Sequence, residues 1–210
     1  MDGDYAAVSG TFETEMSVKG SRFIGIVRRC PDADSVRTVL SDISARYPNA
    51  THYCYAAVYG GCSRTERFSD NGEPSGTAGR PMISVLRGSG LSDTICVVVR
   101  YFGGTLLGTG GLVQAYTDCA SAAIGGCNRS RMVMCRMFRA DVPYGLYDRF
   151  LSSVRNLLVG PAECTYDDRV HVTVHVRESD TETLERIASD VSGGTLSMKD
   201  SGRVYREIPL

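Results

Sequence analysis

The chain has 210 residues, 42% of them hydrophobic, with 23 Lys or Arg against 24 Asp or Glu and a net charge of −1. That is enough apolar material for a sizeable core and one or two domains, and so even a balance excludes a globally basic nucleic-acid binder. No run approaches the ~18 consecutive apolar residues of a membrane span, and the acidic start "MDGDYAAVSG" lacks the regions of a secretory signal, so a cytoplasmic protein with no membrane partner is expected.

Charge is spread along the chain: 11 basic and 12 acidic residues up to Asn128, then 12 of each. Only Lys19 and Lys199 are lysines. Arginine suits bidentate contacts to phosphate or carboxylate, although genomic composition yields the same bias. Eight cysteines lie mostly inside apolar segments and form no C-x-x-C pair, so buried free thiols are expected rather than disulfides or a zinc site. Neither a metal nor a cofactor is expected.

In chain order, "TFETEMSVKG" and "SRFIGIVRRC" read as a strand pair around Lys19-Gly20. Asp32 or Asp34 then caps a helix whose apolar positions Val36, Val39, Leu40, Ile43 and Tyr47 follow the 3.6-residue period, ended by Pro48. "THYCYAAVYG" alternates as a strand. The polar stretch "SDNGEPSGTAGRP", Ser69 to Pro81, has no apolar run and reads as a loop. "MISVLRGSG" predicts a helix stopped by Gly88 and Gly90, and "TICVVVRYF" a central buried strand. After a glycine-rich turn, Leu112, Val113, Tyr116, Cys119, Ala120, Ala123 and Ile124 form a helical stripe.

The pattern restarts after "GGCNRS", predicting domains at 1–129 and 130–210. A strand from Arg131 to Val142 meets Pro143, and Leu146, Phe150, Val154, Leu157 and Leu158 stripe a helix up to Gly160-Pro161. "AECTY" and "RVHVTVHVR" are strands, the second alternating valines with His171, Thr173, His175 and Arg177 to give a polar sheet face. Ser179 and Glu182 suggest a capping box for a helix closed by Gly193-Gly194, and a last strand runs from Thr195 to Ile208. The order β-α-β-β-α-β is the split βαβ arrangement, so a ferredoxin-like second domain is expected.

Three stretches could carry chemistry. "RYFGGTLLGTGG", Arg100 to Gly111, follows a buried strand and opens a helix, a topology that offers backbone N–H groups to an anion. It fails the Walker A test, with Thr109-Gly110 where Lys-Ser/Thr belongs, and the dinucleotide test, with Val113 in place of glycine. A tight connection built on permissive glycines is the competing account. In the polar loop, Asp70 and Glu73 with Ser69, Ser75 and Thr77 can support acid/base work or simply bond their own backbone. His52 and Cys54 share one strand face without an identifiable orienting group, which favours core packing over a nucleophile–base pair. His171-Thr173-His175 lacks the aromatics of an RNA-binding sheet.

Taken together, "THYCYAAVYGG", "SDNGEPSGTAGRP" and "VVVRYFGGTLLGTGGLVQAY", with "SRFIG" before them, resemble the signature of the Impact/YigZ family over about Ser21 to Tyr116. Where the family commonly has Asp-Asp-Gly-Glu-Pro, this chain has Asn71 as second residue, which weakens any scheme needing adjacent carboxylates. The resemblance implies an α+β chain with a ribosomal protein S5 domain 2-like first domain and a ferredoxin-like second one, similar to the last two domains of elongation factor G. It also implies a part in translation or its regulation, since eukaryotic relatives of the first domain compete for the coactivator of a stress-responsive initiation-factor kinase. The expected function is therefore binding of RNA, a ribosome-associated partner or a protein. The expected surface comprises Asp70, Glu73, Ser75, Thr77, Arg80, Arg100, Gly103, Gly104, Gly108, Gly110 and Gly111, with Arg80 and Arg100 as anchors and no catalytic residue. The alternative is an enzyme on a small phosphorylated or acyl substrate, with the glycine turn as anion cradle.

Overall fold

A short strand, β1 (Tyr5–Val8), precedes the hairpin of β2 (Thr11–Val18) and β3 (Ser21–Arg29). Lys19 and Gly20, at φ of 46° and 80°, give the doubly left-handed turn that matches the twist of a two-residue hairpin. Helix α1 (Ala33–Arg46) starts at Asp32, whose side chain accepts the Ser35 N–H; Asp34 instead pairs with Arg37. Strand β4 (His52–Tyr59) is followed by β5 (Thr65–Ser69), a polar edge strand without apolar alternation that the sequence pattern did not reveal. Helix α2 (Gly79–Gly88), strand β6 (Thr94–Tyr101) and helix α3 (Gly108–Gly126) complete this half.

The sheet order β2-β3-β6-β4-β5 is antiparallel throughout and puts β6 at its centre, as its unbroken apolar run requires. Side chains sort by parity. Phe23, Val27, Cys54, Ala56, Val58, Cys96 and Val98 pack under α2 and α3. Ile24, Ile26, Ala57, Ile95, Val97 and Val99 pack against Val36, Val39 and Ile43 of α1. Full burial of Ile95, Val97 and Val99 contributes roughly 1.5–3 kcal/mol per side chain, so β6 anchors both faces of a three-layer body.

The second half contains β7 (Arg129–Val142), α4 (Tyr144–Val154), β8 (Glu163–Tyr166), β9 (Val170–Val176), α5 (Thr181–Ser192) and β10 (Lys199–Pro209). Strand β9 pairs antiparallel with both β7 and β8, and β10 pairs with β7. The alternating valines of β9 and Phe138, Ala140 and Val142 of β7 face Phe150 and Val154 of α4 and Leu184 and Ala188 of α5.

One local expectation is corrected by the structure. Ser179 and Glu182 form no capping box: residues Glu178–Asp180 make a 3-10 turn, which moves the helix boundary to Asp180 and turns the Ser179 hydroxyl to its carboxylate. On the face opposite the valines His175 is 5% exposed, and its Nδ1 has no hydrogen-bond partner among the described residues. Burial accordingly pushes the His175 pKa down. The structure is a computed structural model that describes residues 3–210. They divide into two units, Tyr5–Arg131 with Pro209–Leu210, and Met132–Ile208 with Gly3 and Asp4. No helix among the described residues is long and apolar enough to cross a membrane.

Candidate functional site

The polar loop is wired by its own side chains. The Asp70 carboxylate accepts N–H bonds from Gly76 (2.9 Å), Ala78 (3.0 Å) and Gly79 (2.8 Å). It thus caps α2, whose own N-cap residue, Ala78, has no side-chain acceptor. Burial opposes ionisation of Asp70, but the three donors outweigh it and lower its pKa. Asn71, in the left-handed region at φ 43°, ties the loop to β4 by accepting the Tyr53 N–H at 2.7 Å. Thr77 is buried and donates its hydroxyl to the Pro74 carbonyl. Asp70 and Thr77, expected as contacts, are thus both bonded to the loop's own backbone. Ser75 and Arg80 are exposed.

Glu73 points inward. Its side chain is 3% exposed and that of Arg100, from β6, is 5% exposed, with Nη1 2.5 Å from Oε1. The Tyr116 hydroxyl of α3 donates to the same oxygen at 2.8 Å, and His52 Nε2 of β4 stands 3.8 Å away. Arg100 also donates through Nη2 to the Ser21 hydroxyl, and its guanidinium lies over the rings of Phe23 and Phe102 at 5.3 and 5.7 Å. Burial raises the Tyr116 pKa far above its ordinary range, which keeps the phenol a neutral donor. Arg100 was expected to anchor phosphate, yet its charge is met by Glu73 and both terminal nitrogens are engaged.

The glycine-rich turn divides into a structural and an open part. Gly103 touches the β2–β3 turn so closely that a Cβ would lie 1.9 Å from the Gly20 carbonyl carbon, and its N–H donates to Ser21. It is a packing residue. Gly104 and Gly108 adopt φ of 83° and 73°, while Gly110 and Gly111 lie in the first turn of α3. Gly72–Pro74 of the loop and Leu106–Thr109 of the turn meet at one cleft of ≈ 400 Å³, completed by Thr51, His52, Arg100, Phe102 and Leu112. Its rim is apolar and open, with Phe102 47% and Leu106 83% exposed.

Of the residues expected at a surface, the cleft brings together Glu73, Arg100 and Gly108, while Asp70, Thr77 and Gly103 serve the scaffold. It adds Phe102, Leu106 and His52, with Tyr116 fully buried behind Glu73, all of which the sequence reading had left to core or connection. A tyrosine in a stripe of Ala and Cys was the available signal, since a buried phenol needs a partner. The His52–Cys54 pair separates: His52 lines the cleft, whereas Cys54 is buried against Tyr116 and the Asp70 carbonyl. Burial pushes the Cys54 thiol up to about 12, so it is no nucleophile at neutral pH. No group of three or more metal-ligating side chains occurs among the described residues. The arrangement suits an apolar group that ends in a polar head.

The model of the Impact N-terminal domain family matches residues 19–124, the span that contains every residue of this site. An Impact family member from Haemophilus influenzae is 34% identical over 207 residues, covering 98% of this chain and 97% of the relative. Impact family member YigZ from Escherichia coli is 46% identical over 109 residues, 51% of this chain and 53% of its own. A solved structure titled only as a hypothetical protein aligns with a TM-score of 0.67 at 28% identity, over 94% of this chain and 97% of that one. Matched by the family model over half its length and by a relative over nearly all of it, the chain belongs to the Impact family.

Proposed function

We propose that the chain is a binding module of translation or its regulation, acting in the cytoplasm through a protein partner that seats an apolar group in the cleft. The carrying observation is the cleft's character: an exposed apolar rim at Phe102 and Leu106 above a floor whose charges, Glu73 and Arg100, already neutralise one another. Exposed apolar side chains grouped around a pocket mark interaction sites. A polyanion gains little there, because the central arginine is already paired. The link to translation rests on the family resemblance. Within this reading, residues 1–129 are an Impact-type domain of S5 domain 2-like fold and residues 130–210 a ferredoxin-like domain, the latter supported by the strand order β8-β9-β7-β10.

The test compares wild type with Leu106→Asp, a substitution at an exposed position that leaves the core untouched. Affinity capture and ribosome co-sedimentation from cell extract should each recover a protein or ribosomal partner with wild type and lose it with the variant. Equal recovery by both overturns the reading. An RNA filter-binding series in rising salt separates the nucleic-acid version: specific RNA affinity that persists in Leu106→Asp and falls steeply with salt would replace the protein partner by RNA.

A further inference from the structure

Strand β8 lies at one edge of the second unit's sheet, with Glu163, Thr165 and Tyr166 exposed. Which of its backbone groups stay open follows from the register. The Val159 N–H donates to the His175 carbonyl and the Asp167 N–H to the Arg169 carbonyl, so on this side of β9 the odd-numbered residues carry the ladder bonds. Glu163 and Thr165 stand opposite Thr173 and His171 and are therefore the bonded positions of β8. The N–H and C=O groups of Cys164 and Tyr166, and of Ala162 just before them, point away from the sheet at the alternate spacing that a further strand matches.

A groove of ≈ 670 Å³ runs beside this edge, between α4 and the chain entering β8, lined by Tyr147, Leu151, Leu158, Pro161, Ala162 and Cys164. Cys164 and Tyr166 direct their side chains to the same helix-covered face, because they stand opposite Val172 and Val170 of the core. Tyr166 is 61% exposed although its ring packs edge-on against Tyr147. An apolar groove and a bare aromatic ring thus flank one run of open backbone.

The sequence of this edge selects how a second copy of itself would fit. An antiparallel partner must set outward-pointing residues opposite one another. With Cys164 opposite Ala162 of the second copy, Glu163 meets Glu163; with Cys164 opposite Tyr166, Glu163 meets Asp167. Both set like charges face to face, which is destabilising. Larger offsets leave little of the 4-residue strand matched. With Cys164 opposite Cys164, Glu163 faces Thr165, Tyr166 faces Ala162, and no acid opposes another. That register also lays the exposed ring of Tyr166 beside the other copy's groove at Ala162, twice by symmetry. We propose that the chain forms a twofold dimer in which the β8 strands of two copies pair antiparallel about Cys164, continuing the second unit's sheet across the axis. This interface is separate from the cleft of the first unit.

The test uses the full chain carrying Cys62→Ser, which removes the exposed thiol. Sedimentation equilibrium should show a dimer that forms with rising concentration. Opposed residues of a bonded pair have Cα atoms about 5.5 Å apart, so a short bis-maleimide should join two copies through Cys164, and Cys164→Ser should abolish the product. Thr165→Glu sets a like charge opposite Glu163 at two symmetry-related places and should weaken the dimer roughly two- to thirtyfold, whereas Thr165→Lys should tighten it by a similar factor. Opposite responses to the two substitutions distinguish strand pairing from loss of fold. A chain that stays monomeric at every concentration overturns the proposal; if cell extract then shields Cys164 from maleimide, the edge belongs to a different protein. A dimer that Cys164 does not cross-link, or that both Thr165 variants leave equally stable, overturns it as well.

Discussion

Replacing Arg100 by Met removes the positive half of a pair whose side chains are 5% and 3% exposed. The Glu73 carboxylate then keeps only the Tyr116 hydroxyl as a hydrogen-bond donor, at 2.8 Å. Breaking a buried pair from one side costs about 3–5 kcal/mol, whereas exchanging both partners for apolar residues of similar volume is near neutral or stabilising. Arg100→Met and Glu73→Leu should therefore each destabilise strongly. The double variant Arg100→Met/Glu73→Leu should recover most of that loss and be more stable than either single variant. In urea, with a slope of about 1–3 kcal/mol per molar, each single substitution lowers the midpoint by roughly 1–5 M. Hydrogen exchange at the amides of β6 ties the measurement to the unit that contains the pair. Single costs below ~1 kcal/mol that simply add in the double variant would refute the argument, because they describe a solvated pair.

Two further outcomes follow from local geometry. Gly103→Ala forces a Cβ within 1.9 Å of backbone at Gly20 and should abolish folding of the first unit, while Gly110→Ala, with nothing within 4 Å, should be neutral or stabilising by up to ~1 kcal/mol; thermal melts of the two decide it. His171 hydrogen-bonds Asp167 and Asp141, which raise its pKa from 6.5 to about 9. Since the folded value lies above the unfolded one, this contribution to stability is complete below about pH 6.5 and is lost as pH rises through about 9. An NMR titration of the imidazole should show that midpoint, and Asp167→Asn should lower it; a midpoint near 6.5 in wild type would contradict the clamp.

The sequence carried most of the architecture, because strong periodicity at Val36–Ile43, Thr94–Val99 and Val170–Val176 leaves few choices of element. It missed β5 because an edge strand such as Thr65–Ser69, exposed along nearly its whole length, has no apolar alternation to read. The start of α2 lay three residues before the expected Met82 because its cap arrives from Asp70, nine positions upstream of Gly79, beyond any local capping signal. The candidate site was half legible. Glu73 and Arg100 stood out as charges in polar or glycine-rich surroundings, but their mutual neutralisation depends on strand register. His52 reaches the cleft because β4 pairs with β6 so that His52 stands opposite Arg100.

The Glu73 network joins residues far apart in the chain: Arg100 is 27 positions from Glu73, Tyr116 is 43, and Ser21 lies 79 before Arg100. Closing such loops is entropically late, since long-range contacts reward the chain only once the intervening segments are in place. A growing chain that ends before Tyr116 holds two opposed charges without the phenol or the helix that roof them. The cleft thus cannot take its full shape before α3 is in place, and any binding there waits on that step.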